Sequence, residues 1–407
     1  VAEGPANRLL AFVGTYAGEG GGPGGIYTFE ISDDGRNIEQ LGHHSVPQEA
    51  GYLVYSPATE TLFAVNEVKT DGRGPVGRAS SVHALRLDLE SGELAHLGSR
   101  PSLGAFPCYL AHDPKRGLLV SANHAGFTHV EKLVQRDDGH WETRFDYDDS
   151  TVSVFPLTAD GRIEPASDVH LFSGHGKDPN SSPQNGGHAQ SGPHAHSAVI
   201  DPSGEFLLVC DKGTDRIHVF QLSAKLEEVF VLQLAEETGP RHLAFDPVTG
   251  LAFATCEFAS TIATLAFDAA TGMLEELSQV STLPSGYDGP NEPAEIRVHP
   301  QGGFVYANNR GEDCIAWFAI GQDGQLERQG SVPLAKSLHP GVAARSFAFA
   351  PGGSFLMVAD RPADLVASYS VCDRSGALTL LAQATVPDPA FVAFARLEPT
   401  HSGRGAK

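Results

Sequence analysis

The chain has 407 residues, 41% hydrophobic and 19% charged, which supports a large buried core and excludes an intrinsically disordered chain. Its formal net charge is −22, with no Lys/Arg-rich run and no basic stripe interleaved with aromatics, which argues against nucleic acid and anionic membranes as partners. Abundant Gly (45) and Pro (27), with only 8% aromatics, suit many short strands joined by turns.

No apolar stretch approaches the roughly 20 residues needed to cross a bilayer, and the start VAEGPANRLL lacks the zones of a signal peptide. A cytoplasmic location is therefore expected, with a removed leader left open because residue 1 is Val. The five cysteines, Cys108, Cys210, Cys256, Cys314 and Cys372, form no CxxC pair and no metal spacing, and read as reduced thiols.

In chain order, the first segment, LLAFVGTYAGEGGGPGGIYTFEISDDGRNIEQLGHHSV, reads as three strands without an opening partner. Then a framework recurs: an apolar stretch, a DP or SP turn with Gly, and a second apolar stretch. Its copies are YLVYSPATETLFAVNEV, CYLAHDPKRGLLVSANHAG, HSAVIDPSGEFLLVCDKGT, RHLAFDPVTGLAFATCEFA, EIRVHPQGGFVYANNRGED and SFAFAPGGSFLMVADRPAD. Each is hairpin chemistry, followed by a third strand such as DRIHVFQLS and usually a fourth such as LEELSQVS. Four strands in roughly 45 to 55 residues is the repeat size of a propeller blade. The C-terminal AFVAFARLE supplies the first strand that the N-terminal piece lacks.

The fold expected is all-β: a seven-bladed β-propeller of four-stranded antiparallel blades, closed by N- and C-terminal strands sharing one blade. Six blades plus an edge hairpin is the runner-up. One domain is expected over 1–407, with surface inserts at about 124–150, rich in charge, and 172–191, polar and Gly/Ser-rich.

Consecutive strands of a blade are antiparallel, so the start of the innermost strand and the end of the second line one mouth of the channel. The first register holds Gly51, Cys108, His196, Arg241, Ala294 and Arg345; the second holds Glu67, His124, Lys212, Glu257, Arg310 and Arg361, with Tyr16 from the N-terminal piece. Arg297 follows in AEIRV. A scaffold position should repeat one apolar or turn residue, whereas these vary among ionisable groups. Arginines gathered at one mouth of an acidic protein create a local positive field suited to a small anion. The plainer alternative is that Arg and Glu pair across blades to tie the ring together.

The segments FVGTYAGEGGGPGGIYTFEI, GPHAHSAVIDPSGEFLLVCDKGTDRI, GPRHLAFDP, AEIRVHPQGGFVYANNRGEDCIAWF and ARSFAFAPGGSFLMVADR resemble the seven-bladed lactonase family, over nearly the whole chain from about Leu9 to Phe394. That family includes bacterial propeller-type 6-phosphogluconolactonase and fungal carboxy-cis,cis-muconate cyclase, so the resemblance alone does not choose a chemistry. By likeness to the cyclase branch it implies a working His at His194 or His196, an Arg at Arg241, a Glu at Glu257 and a further Arg at Arg297 or Arg310. The chain departs from the family pattern in Cys256, where Asn is common, and in the His-bearing insert.

Lactone hydrolysis needs an activated water and donors for an oxyanion. A neighbouring Arg would weaken Glu257 as a base, which favours His in that role. The remaining channel residues, Arg297, Arg310, Arg345, Lys212, Glu67, His124, Arg361 and Tyr16, are expected to bind substrate. No GxSxG elbow indicates a serine nucleophile, and no GxGxxG or P-loop indicates a nucleotide cofactor.

His175, His188, His194 and His196 invite a metal hypothesis but lack a regular ligand spacing, so no metal or other cofactor is expected. The expectation is hydrolysis of a small anionic sugar lactone, 6-phosphogluconolactone first, by a monomer or homodimer. A cyclase-type lactonising or eliminating enzyme is the alternative. A non-catalytic binding scaffold is a third reading, disfavoured by the missing GHxxWD signature and by the crowding of distinctive residues at one mouth.

Overall fold

A computed structural model describes residues 8–17, 22–69, 80–177, 190–338 and 342–397. Seven four-stranded antiparallel sheets form the blades of a closed propeller. We number blades 1 to 6 from the six repeats in chain order, and call the terminal blade 7. Blade 1 shows the pattern: Leu53–Ser56 innermost, then Thr61–Asn66, Ser81–Leu87 and Leu94–Pro101 at the rim. In blade 7 the C-terminal strand Pro389–Leu397 is innermost and pairs antiparallel with Arg8–Thr15, which pairs with Gly25–Ile31 and that with Ile38–His44. The shared blade removes the open edges that a linear stack of sheets would leave.

The repeated turn has a local cause. In blade 3 the Asp201 carboxylate accepts hydrogen bonds from the amides of Ser203, Glu205 and Phe206 at 2.8, 2.9 and 2.7 Å. Gly204 takes a positive φ of 76° there, so the side chain closes the hairpin that the backbone starts. Asp113 and Asp246 do the same in blades 2 and 4. Second strands such as Leu118–Asn123 and Phe206–Asp211 are buried throughout, whereas rim strands such as Leu274–Ser281 expose most of their residues. The core consequently lies between blades, and one apolar cluster runs through blades 7, 1, 2 and 3.

The start of the innermost strand is irregular. Pairing with the second strand skips Cys108 in blade 2, His196 in blade 3, Arg241 in blade 4, and both Ala294 and Glu295 in blade 5. A β-bulge leaves its extra residue unpaired and re-aims its side chain. Four blades thus turn a non-scaffold residue toward the channel at the same height.

Part of the charged insert in blade 2 is itself regular, forming a separate two-stranded hairpin of His129–Gln135 and Trp141–Tyr147. Its foot is clamped by Asp148, which accepts from Lys69 Nζ at 2.5 Å and from the Gly126 amide at 3.0 Å. Most of the second insert lies outside the described residues, His188 included. Among the described residues no helix is long and apolar enough to cross a membrane.

Candidate active site

The bulge residues and the residues that end the second strands meet in a cavity of about 350 Å³ at one mouth of the channel. Five cations line it, Lys69, Lys212, Arg241, Arg310 and Arg345, against the carboxyls of Glu67 and Glu257. Cys108, His124, His196, Phe106 and Phe127 complete most of the wall. In a chain of net charge −22 this is a local reversal of sign.

Glu257 is the organising anion of the floor. It is fully buried, with Lys212 Nζ 2.7 Å from Oε1, and Arg241 Nε and Arg310 Nη2 at 2.8 and 3.0 Å from Oε2. Arg310 also reaches Glu292, at 3.1 Å. Burial pulls Lys212 and Arg241 below their usual values; the Glu257 charge opposes this in both, while for Arg241 the nearby Arg310 adds to the lowering. Three cations thus converge on the one Glu257 carboxylate. The guanidinium of Arg241 is only partly used by this cage. Its Nη1 is buried and has no hydrogen-bond partner among the described residues, and the Arg241 side chain lines the cavity.

His196 stands on the wall, 8% exposed, with Nδ1 3.2 Å from His242 Nε2. Burial holds it well below the ordinary imidazole value, and Arg241 and Lys212 push in the same direction, so it is neutral at neutral pH. Cys108 Sγ lies 3.9 Å from the same Nδ1, but burial raises that thiol and disfavours the nucleophilic thiolate.

Not all the expected residues gather here. Of the two GPHAH histidines, His196 lines the cavity; His194 lies behind it, stacked on His124 at 4.5 Å, with Nδ1 donating to the His124 carbonyl at 2.9 Å. Of the two candidate arginines, Arg310 lines it and Arg297 does not. Arg297 lies further along the inner strand of blade 5, pairs with Glu295 at 3.3 Å, and borders a second cavity with Tyr52, Tyr55, Phe349, Phe391 and Phe394.

Tyr16 and Arg361 form a rim cluster outside the cavity wall. The Tyr16 hydroxyl donates to Glu67 at 2.6 Å, Arg345 and Arg361 lie over its ring at 4.9 and 4.6 Å, and Arg361 pairs with Asp388. Arg345 lies 2.7 Å from Glu67, and burial pulls its own value down to about 9. Gly51, at the matching register of blade 1, is spacing: a Cβ there would sit 1.8 Å from Glu67 Oε2.

Phe106 on the wall and four further residues escaped the reading by register. Lys69 and Phe127 enter from the flanks of blades 1 and 2, Phe127 standing 5.9 Å from Lys212 Nζ. Glu295 and His242 lie beneath His196, where a narrow cleft continues the cavity. The GPRH and AEIR motifs contained both, but only the double skip of the blade 5 bulge turns Glu295 inward.

Among the described residues no cluster of three or more His, Cys, Asp or Glu side chains is arranged to hold a metal ion, and His175 Nδ1 is occupied by the Gly176 carbonyl at 2.6 Å. Four cysteines are buried, Cys372 is exposed, and all five are unbridged.

The fold is a closed seven-bladed propeller whose channel mouth is cationic and carries histidines. The chain belongs to the seven-bladed β-propeller lactonase family, whose model matches residues 10–394. It is 27% identical to the 6-phosphogluconolactonase of Bacillus subtilis (strain 168), over 95% of this chain and 98% of that protein. It is 26% identical to the 6-phosphogluconolactonase of Pectobacterium carotovorum, over 89% and 92%. A solved protein from Lactobacillus plantarum superposes with a TM-score of 0.78 at 28% identity, covering 95% of this chain and 99% of that one.

Proposed function

We propose that the protein hydrolyses a small anionic sugar lactone, 6-phosphogluconolactone in the first instance, to the open acid. The observation that carries this reading is the unpartnered, buried Arg241 Nη1 beside neutral His196 in a cavity of net positive lining. The 6-phosphogluconolactonases among its relatives support the substrate class.

In this reading His196 takes a proton from water through Nε2, and the resulting hydroxide attacks the lactone carbonyl. Arg241 and Lys212 stabilise the oxyanion, a contribution worth roughly 10²–10³-fold per donor. The tetrahedral intermediate collapses with cleavage of the ring C–O bond, and His196 returns the proton to the departing alkoxide. Arg310, Arg345 and Lys69 supply counter-charge for the phosphate.

The test is the rate of opening of 6-phosphogluconolactone, glucono-lactone and carboxymuconolactone by purified protein, each against its spontaneous rate. Preference for the phosphorylated lactone is expected. Turnover of carboxymuconolactone alone would transfer the protein to the cyclase branch, and silence on all three would refute catalysis of this class.

A further inference from the structure

Beneath His196 the buried side chains form a line. Glu295 Oε1 lies 3.1 Å from His242 Nδ1, and His242 Nε2 lies 3.2 Å from His196 Nδ1, with the two rings 5.1 Å apart. Glu295, His242 and His196 are 2%, 4% and 8% exposed. We propose that Glu295 and His242 are positioning residues that fix the tautomer of His196, leaving its Nε2 bare toward the substrate, and that His242 receives the proton displaced when His196 acts as base. This rests on the reading of His196 as the base.

The tautomers follow from donor and acceptor chemistry. Glu295 as a carboxylate only accepts, and Arg297 and His242 hold it below the usual carboxyl range although burial alone would raise it. His242 must therefore donate through Nδ1–H, and a neutral imidazole has one N–H, so its Nε2 carries a lone pair. The group facing that lone pair is His196 Nδ1, which must carry the hydrogen. Nε2 of His196 is then left as the basic nitrogen. The Cys108 thiol, at 3.9 Å from His196 Nδ1, is a much weaker competitor than an imidazole at 3.2 Å.

The same line solves a charge problem. His196 faces Arg241, Lys212, His124, Cys108 and His242, so an imidazolium there would stand beside two cations. His242 faces Tyr109, Arg241 and Arg297 but touches Glu295 directly. When water gives a proton to His196 Nε2, the Nδ1 proton of His196 passes to His242 Nε2. The positive charge then rests on His242 against the Glu295 carboxylate, and one proton has entered the line while none has left it. Collapse of the intermediate reverses both transfers.

Nitrogen NMR of the folded wild-type protein with labelled histidine gives a first readout that needs no variant. The Nδ1–H form of His196 is expected near neutral pH, and the Nε2–H form would overturn the proposal. In kinetics, Glu295→Gln should lower kcat by at least about tenfold, within the roughly 10²–10⁴-fold that general-base catalysis supplies, with KM unchanged. It should also move the acid limb of the pH profile to lower pH, because the carboxylate raises the proton affinity of the line. His242→Gln, whose amide oxygen can accept from His196 and whose amide nitrogen can donate to Glu295, should retain more activity than His242→Leu. That amide holds the tautomer of His196 without taking up a proton, so equal losses in those two variants would overturn the positioning role of His242. His196→Ala separates the two claims: if it is inactive while Glu295→Gln matches wild type in kcat and pH profile, the relay falls and hydrolysis stands. If His196→Ala itself turns over every lactone at the wild-type rate, the parent reading falls.

Discussion

The two ends of the channel are built by the same inner strands, yet they differ in kind. At one end, bulges turn Cys108, His196, Arg241 and Glu295 inward, and the second strands deliver Glu67, Lys212, Glu257 and Arg310 to meet them. Further along, where pairing is regular, the channel is lined by Tyr55, Phe349, Phe391 and Phe394, with Arg297 neutralised by Glu295. Tyr52 separates the two, its ring 4.2 Å from Tyr109 and 4.0 Å from Phe391. Regular pairing therefore builds scaffold, and the interruption of pairing builds the site.

Substitutions at the two ends should behave differently. The largest effect is expected for Glu257→Gln, which takes from Lys212, Arg241 and Arg310 the carboxylate they share and leaves only Arg310 a second one, Glu292. Removing one partner of a buried ionic cluster costs about 3–5 kcal/mol, and denaturant unfolding should show a loss of that size together with loss of turnover. Arg241→Gln, which keeps the shape but removes the charge and the fork of donors, should cost roughly 10²–10³ in kcat in a protein that remains folded. An unaltered rate in that variant would move the chemistry away from this mouth.

Acid should weaken the fold through the same buried line. Burial depresses His242 to about 4, with Glu295 opposing, while an unfolded imidazole titrates at 6.5. Between those values the unfolded chain binds more protons than the native one, so stability falls as pH drops from 6.5 to about 4, by about 3 kcal/mol from this one group. Thermal unfolding of His242→Gln across that window should show a shallower decline than wild type.

Smaller effects should mark the scaffold end and the apolar wall of the cavity. Phe394→Ala, in the second cavity, should cost about 2 kcal/mol of stability and leave kcat and KM alone. Phe127→Ala should raise KM by about fivefold with kcat little changed, since Phe127 lines the cavity outside the proposed proton path. A large fall in kcat for Phe394→Ala would erase the distinction between the ends.

Much of this was legible in the sequence because each repeat carries its own instructions. The DP turns mark hairpins through the Asp carboxylate, the alternation marks strands, and the unmatched terminal pieces mark the shared blade. The mouth registers were legible for the same reason: Arg310 ends a second strand, and Glu67, His124, Lys212 and Glu257 each follow one directly. Fine choices were not. Whether His194 or His196 faces the cavity turns on a one-residue bulge, and a one-residue slip reverses every side chain beyond it. The same slip hid Glu295, because counting by regular register assigns Ala294 to the mouth. Arg297 drew attention by its charge, but charge does not reveal height along a strand. The hairpin Trp141–Tyr147 with its partner was missed because the insert drew attention by its charge; WETRFDY alternates, but Leu133, Trp141 and Phe145 are exposed and the alternation marks no buried face.

The most direct test is a crystal structure with 6-phosphogluconate bound. The account predicts the phosphate and carboxylate among Lys69, Arg241, Arg310 and Arg345, with the carboxylate within hydrogen-bond reach of the Arg241 guanidinium. Occupancy instead beside Arg297, among Tyr55, Phe349 and Phe394 at the other end, would contradict it.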